Sequence, residues 1–139
     1  MALDNDIKLV SNYRQQGNNH VAFGDCNNLE ILKSCQIHHA RLVILSIKNL
    51  SDAVKIINRI RCEYPDLPVI VRAHHESAFE ELILAGANHI VPEMLETSFM
   101  ISMQMLSLLG IHEQNIIEQI QRERDRRMAH LSSSSNNTN

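Results

Sequence analysis

The sequence contains no tryptophan, and aromatic residues make up only 4% of its 139 positions. So few stacking platforms set aside the binders of single-stranded nucleic acid, which lay bases on aromatic rings. A net charge of −3 gives no overall attraction to a polyanion or an anionic membrane. Cysteine is scarce as well: Cys26, Cys35 and Cys62 are odd in number, widely spaced and without a C-x-x-C pair, which reads as three free structural thiols in a reducing compartment. No apolar run approaches the ~20 residues of a membrane-spanning helix, and the start MALDNDIK lacks the basic and apolar segments of a signal peptide. The expectation is a soluble, cytosolic chain. A glycine-rich loop is missing too. Without G-x-G-x-x-G, backbone amides and a helix N-terminus have no ordinary cradle in which to approach a pyrophosphate.

What is present is an ordinary globular balance, 44% hydrophobic and 21% charged, in a length that fits one domain and needs neither disulfide nor structural metal to hold its core. Four near-continuous apolar runs, at 21–25 (VAFGD), 42–47 (LVILSI), 68–73 (PVIVRA) and 89–93 (HIVPE), read as strands of a parallel sheet covered on both faces. Helical patterns lie between them. Asn27 with Glu30 starts a helix carrying Leu29, Leu32 and Cys35; Ser51 is a plausible N-cap for a helix whose face is Ala53, Ile56, Ile57 and Ile60; Ala78, Leu82 and Ala85 stripe a third, closed by Gly86. Residues 1–4 read as the end of a further strand, followed by a helix lined by Ile7, Val10 and Tyr13 or Arg14 and ended by Gly17. Strand, helix and strand repeated over short connections give right-handed crossovers, hence the α/β doubly wound class.

After residue 93 the pattern turns to two helices, 95–109 and about 112–131, separated by Gly110. The second has Ile116, Ile117, Ile120 and Met128 on one side and crowds Arg122, Arg124, Arg126 and Arg127 together; the arginines read as a solvated face, with contact to an anionic partner or lipid head groups as the sharper alternative. SSSSNNTN, 132–139, reads as a disordered tail.

In a doubly wound sheet, ligands bind beyond the carboxyl ends of the strands. Asp4, Asp25, Ser46 to Lys48, Arg72 to His74 and Glu93 fall there. An acid closing a strand can accept hydrogen bonds from both hydroxyls of a ribose; Asp4 stands in that place, although Asp4 or Asp6 could equally cap the following helix. The pairs His38–His39 and His74–His75 are adjacent, so their side chains should diverge, and they lack the spacing of metal ligands.

The run LDND, then AFGDCNNLEILKSCQIHHARLVILSI, then YPDLPVIVRAHHESAFEELILAGANHIVPEMLETS resembles the nucleotide-binding RCK domain, also called the TrkA N-terminal domain. The likeness is greatest to the soluble C-terminal part of Kef-type potassium/proton antiporters and covers roughly residues 2–110. It implies a Rossmann-like domain that binds NAD(H) or AMP, dimerises, and couples occupancy to a membrane cation transporter from the cytoplasmic side, at the inner face of the membrane. Carried over by position, Asp4 resembles the ribose-binding acid, Asp25 the residue at the adenine edge, Ser46 a loop residue near the ribose, and Arg72 an arginine near ligand and dimer contact. The helix after Glu93 resembles the one that crosses to the partner subunit.

The family's first strand, glycine loop and first helix have no counterpart in these residues. The chain therefore reads as N-terminally truncated: 1–93 a partial Rossmann-like domain, 94–131 crossover helices and 132–139 the tail. A fragment, a shortened relic and a regulatory subunit acting in trans are all compatible with that. Nucleotide affinity should be weakened or lost. Because the missing strand is central, its absence should expose two strand edges and favour dimerisation or aggregation through the gap. Two other readings compete. LPVIVRAHHESAFEELILAGANHIVPE is similar to the second half of a receiver domain, but LVILSI ends without the acceptor aspartate and VPE carries no lysine. A fragment of an NAD-dependent oxidoreductase would need a base or nucleophile beside the cofactor, and none stands out, so no enzyme is expected.

Overall fold

Five short strands alternate with helices along a computed structural model of the chain, which describes residues 1–134 and the side chains of all of these except Glu113 and residues 127–134. In chain order they are β1 (Ala2–Asp4), α1 (Ile7–Gln15), β2 (Val21–Phe23), α2 (Leu29–Ser34), β3 (Val43–Leu45), α3 (Leu50–Glu63), β4 (Val69–Ala73), α4 (Phe79–Leu84), β5 (His89–Pro92), α5 (Glu93–Leu108) and α6 (Glu113–Ser134). Every strand pairing is parallel. The expected α/β alternation and crossover pattern are therefore present.

The sheet is divided. β1 pairs with β2, and β3, β4 and β5 pair in that order, but β1 and β3 do not meet. Between them lies a cavity of about 660 Å³, lined by Leu3 on one side and by Val43, Ile44 and Leu45 on the other.

The main core belongs to the three-stranded half. Its α3 carries the apolar stripe read from the sequence, with Ala53 at 2% exposure and Ile56, Ile57 and Ile60 at 0%, against Val69, Val71 and Ala73 on one face of β4. Arg61 projects from the same helix and staples the chain behind it. Its Nε donates to the Gly86 carbonyl at 2.8 Å and its Nη1 to the Leu67 carbonyl at 2.7 Å, while Nη2 reaches Asn88. Gly86 adopts φ +103°, the left-handed closure expected after α4, and an added Cβ would stand 2.9 Å from Arg61 Nε.

Helix starts differ from the expectation at two points. Asn28, not Asn27, caps α2 by accepting from the Glu30 amide at 3.0 Å; Asn27 instead donates to Asp25. Asn49, not Ser51, caps α3: its side-chain oxygen accepts from the Asp52 amide at 3.2 Å, which starts the helix early and leaves Ser51 inside the first turn. At α1 the cap is Asp6, whose Oδ1 accepts from the Lys8 and Leu9 amides at 2.8 and 3.2 Å.

Helices α5 and α6 form a hairpin around a second small core of Leu95, Phe99, Ile116 and Ile120. Ile117, expected on the same side, is 51% exposed, and the Met128 side chain lies outside the described set. Arg122 and Arg126 keep the solvated-face reading, their side chains 80% and 72% exposed, but Arg124 departs from it. It reaches back across the hairpin to pair with Glu96 through both Nε and Nη2, and its guanidinium carbon stands 5.5 Å from the centre of the Phe99 ring. Ser132 to Ser134, assigned to the tail from sequence, continue α6; 135–139 lie outside the described residues. Among the described residues, no helix is long and apolar enough to cross a membrane.

Candidate functional site

Parallel pairing brings all strand carboxyl ends to one edge, and the candidate residues collect there in two groups. Asp4 pairs in register with Phe23, and the Gly24 amide donates to the Asp4 carbonyl at 2.9 Å, which continues the β1–β2 ladder to its last residue. Asp25 therefore follows directly at the end beside Asp4. Each carboxylate is held by a tight local turn: Asp4 Oδ1 accepts from the Asp6 amide at 2.8 Å, and Asp25 Oδ1 from the Asn27 amide at 2.8 Å and its side-chain amide at 3.1 Å. Their Oδ2 atoms have no protein partner among the described residues.

Gly24 sets this geometry. A Cβ built on it would stand 2.7 Å from Ile31 Cγ2 and 3.1 Å from Leu3 Cδ1. Only a residue without a side chain lets the end of β2 approach α2 so closely, and that approach fixes where Asp25 emerges.

Cys26, next along, reports the field at this edge. Partial burial pushes its thiol above the ordinary value; its own backbone hydrogen bond opposes this, and the carboxylates of Asp25, Asp4 and Asp52 add to the rise. Asp52 lies in the first turn of α3, on the other half of the divided sheet. Three carboxylates from both halves thus act on one thiol.

The second group spans the ends of β3, β4 and β5. Arg72 Nη2 donates to the Ser46 carbonyl at 3.2 Å, and its Nε lies 3.5 Å from Glu93 Oε2. His74 Nδ1 approaches the same Glu93 oxygen at 3.3 Å. Arg72 is thereby pinned between two strands.

Of the four residues singled out from sequence, Asp4 and Asp25 come together, Ser46 and Arg72 come together, and the two pairs sit on opposite halves. Asp52 and Cys26 were missed. Their signal was positional, since Asp52 opens the helix after β3 and Cys26 follows Asp25, each at a carboxyl end. The histidine pairs do not diverge as expected. The His38 and His39 ring centroids are 4.1 Å apart and those of His74 and His75 are 4.5 Å apart, because one pair sits in the 3-10 turn Ile37–His39 and the other in the loop after β4, where the helix and strand geometry behind the expectation does not apply. No group of three histidine, cysteine or acidic side chains suited to a metal occurs among the described residues.

The two aspartates offer free acceptor oxygens to hydroxyl and amine donors. In the first turns of α1, α2 and α3, the amides of Lys8 and Leu9, of Glu30 and of Asp52 are engaged by the cap side chains Asp6, Asn28 and Asn49.

The sequence model of the TrkA-N domain matches residues 1–93. A protein of Alkalimonas amylolytica that bears the name K(+) efflux antiporter KefB is 32% identical over 124 residues, which are 89% of this chain and 19% of that protein. The chain thus spans about a fifth of that relative's length. Among solved structures, the TrkA-N domain of the inner membrane protein YbaL from Escherichia coli is 29% identical, with a TM-score of 0.63 over 77% of this chain and 76% of that one. The Kef C-terminal domain of Shewanella denitrificans in AMP-bound form is 19% identical, with a TM-score of 0.73 over 83% of this chain and 72% of that one, a likeness of fold.

Proposed function

The chain belongs to the TrkA-N domain family, and from that premise we propose that it is a non-catalytic, nucleotide-sensing regulatory domain of a potassium efflux or cation:proton antiporter system. The observation that carries this reading is the pair of turn-locked carboxylates, Asp4 and Asp25, at the ends of adjacent parallel strands with oxygens free toward solvent. Asp4 accepts from ribose hydroxyls and Asp25 from the exocyclic amine of adenine, as hydrogen bonds to ionised acceptors that favour the bound nucleoside. Ser46 lies near the ribose, and Arg72 lies toward the dimer contact. NAD(H) or AMP is the ligand. Its hold is weakened because the chain brings no glycine-rich cradle for the phosphates.

Residues 1–93 read the ligand and the α5–α6 hairpin transmits the reading. The exposed apolar side chains of α5, among them Met100, Ile101, Met105 and Leu108, provide a face for a homodimer. A ligand that prefers one arrangement of that dimer shifts its population and so biases an attached membrane cation transporter from the cytoplasmic side, at the inner face of the membrane.

Titration calorimetry with NADH, NAD and AMP tests the reading. At least one should bind, and Asp4→Asn should weaken it by about tenfold or more, as expected when a hydrogen bond to a charged acceptor is lost. Absence of heat with all three at millimolar concentration, or equal affinity in Asp4→Asn, would sink it. Ile101→Glu should turn a dimer into a monomer in sedimentation.

A further inference from the structure

Resting on the α5 homodimer, we propose that Met94 and Met105 are a reversible oxidation site, whose sulfoxides separate the two protomers. Methionine is unevenly placed in this chain. Four of its six methionines, Met94, Met100, Met103 and Met105, lie in the 16 residues of α5, and neither hydrophobic core contains one. Their positions round the helix divide them. Leu95 and Phe99 belong to the hairpin core against α6, and about a third of a turn away runs a second stripe of Met94, Ser98, Ile101, Met105 and Leu108. Its steps of four, three, four and three residues are the seam spacing of paired helices. Met94, Ile101, Met105 and Leu108 are 57%, 65%, 53% and 88% exposed, so a single chain leaves the seam uncovered. A second copy offers the same stripe, and a two-fold axis lets each close on the other. Met103 lies about half a turn round the helix from this stripe.

Oxidation alters such a seam without touching the fold. The thioether sulfur attacks one oxygen of hydrogen peroxide. An S–O bond forms as the O–O bond breaks, sulfur gives up two electrons, and the departing hydroxide takes the proton of the transferred oxygen, so that one water leaves and a neutral sulfoxide remains. A flexible apolar side chain has become a hydrogen-bond acceptor. The seam has no hydroxyl to spare for it: Ser98 Oγ donates to the Met94 carbonyl at 2.8 Å, and Thr97 Oγ1 and Ser102 Oγ, beside the stripe, donate to the Glu93 and Ser98 carbonyls at 2.8 and 2.9 Å. A buried acceptor left without a donor destabilises the closed pair, and two methionines on each protomer multiply the effect. In the free protomer the same oxygen points into water, and Leu95, Phe99, Ile116 and Ile120 hold the hairpin as before. The oxidant meets both sulfurs on the free protomer, and the sulfoxides then keep it from pairing again.

The test is sedimentation equilibrium of the 139-residue chain before and after hydrogen peroxide, with the oxidised residues located by peptide mass spectrometry. The untreated chain should dimerise, and oxidation at Met94 and Met105 should weaken the dimer about a hundredfold. Recovery should need the two methionine sulfoxide reductases, one for each epimer; dithiothreitol alone, which returns oxidised thiols, should not restore it. Met94→Leu combined with Met105→Leu should show one dimerisation constant before and after peroxide, whereas Met103→Leu should lose affinity on oxidation as the parent chain does. The unaltered chain gives a second measurement: oxidation of Met94 and Met105 should slow as protein concentration rises, while that of Met103 should not. An untreated chain that stays monomeric removes the homodimer and the oxidation site together. A dimer that peroxide leaves intact, an equal loss in the double variant, full recovery in dithiothreitol alone, or oxidation of Met94 and Met105 at the same rate at every protein concentration would overturn the oxidation site and leave the homodimer standing.

Discussion

In the three-stranded half of the molecule, three isoleucines of α3 at 0% exposure lock against β4 and Arg61 staples the following loops, whereas in the two-stranded half Val10 is the one side chain that α1, β1 and β2 bury to a similar degree. Long-range packing holds the larger half. The smaller one is held by local hydrogen bonds, the turns at Asp4 and Asp25 and the caps at Asp6 and Asn28. Elements with few buried apolar contacts open at low free-energy cost. The proposed sensing carboxylates therefore sit on the part of the fold whose position a ligand can most easily change, beside a frame that resists change.

The sharpest way to break that contrast is to remove buried volume from each half. Ile57→Ala should cost about 2–5 kcal/mol in denaturant unfolding and weaken the whole chain. Val10→Ala should cost about 1.5–2 kcal/mol, felt mainly as faster amide exchange in residues 2–23. Equal or reversed effects would mean that the smaller half is not the weaker one. Next in size is Gly24→Ala, where the added methyl meets Ile31 at 2.7 Å. It should cost about 1–3 kcal/mol by overpacking, measured by thermal unfolding, and Ile31→Ala in the same chain should recover part of that loss.

The smallest effect concerns pH. The Cys26 thiol is raised from its ordinary value of 9.0, first by burial, so the folded chain holds its proton more tightly than the unfolded chain does. Its contribution is present at neutral pH and fades as pH climbs past the ordinary thiol value and through the raised one. Cys26→Ala should flatten that alkaline decline, and iodoacetamide should modify Cys26 more slowly than the exposed Cys62.

What was legible from sequence follows the range of the interactions. The α3 stripe and the strand runs are local apolar patterns, and they appear where expected. The parallel sense of every pairing was legible too, from the alternation of strand and helix. The caps were not, because Asn27 and Asn28, or Asn49 and Ser51, are equally good acceptors and the backbone path alone chooses between them. Arg124 with Glu96, 28 residues apart, and Arg72 with Glu93 depend on how elements pack, which no local pattern encodes. That Asp4 and Asp25 lie side by side was legible because each follows the end of an apolar run, and the two runs pair in parallel. Asp52 joins them only through the tertiary fold.

The hairpin's core shares no residue with the core under the sheet. α5 is rooted where Glu93 meets Arg72 and His74 and runs 16 residues from there, about 24 Å at the helical rise. It is a lever with its fulcrum among charges. A tilt of about 10° at that root would sweep the far end through about 4 Å over this length, enough to exchange one set of apolar neighbours for another.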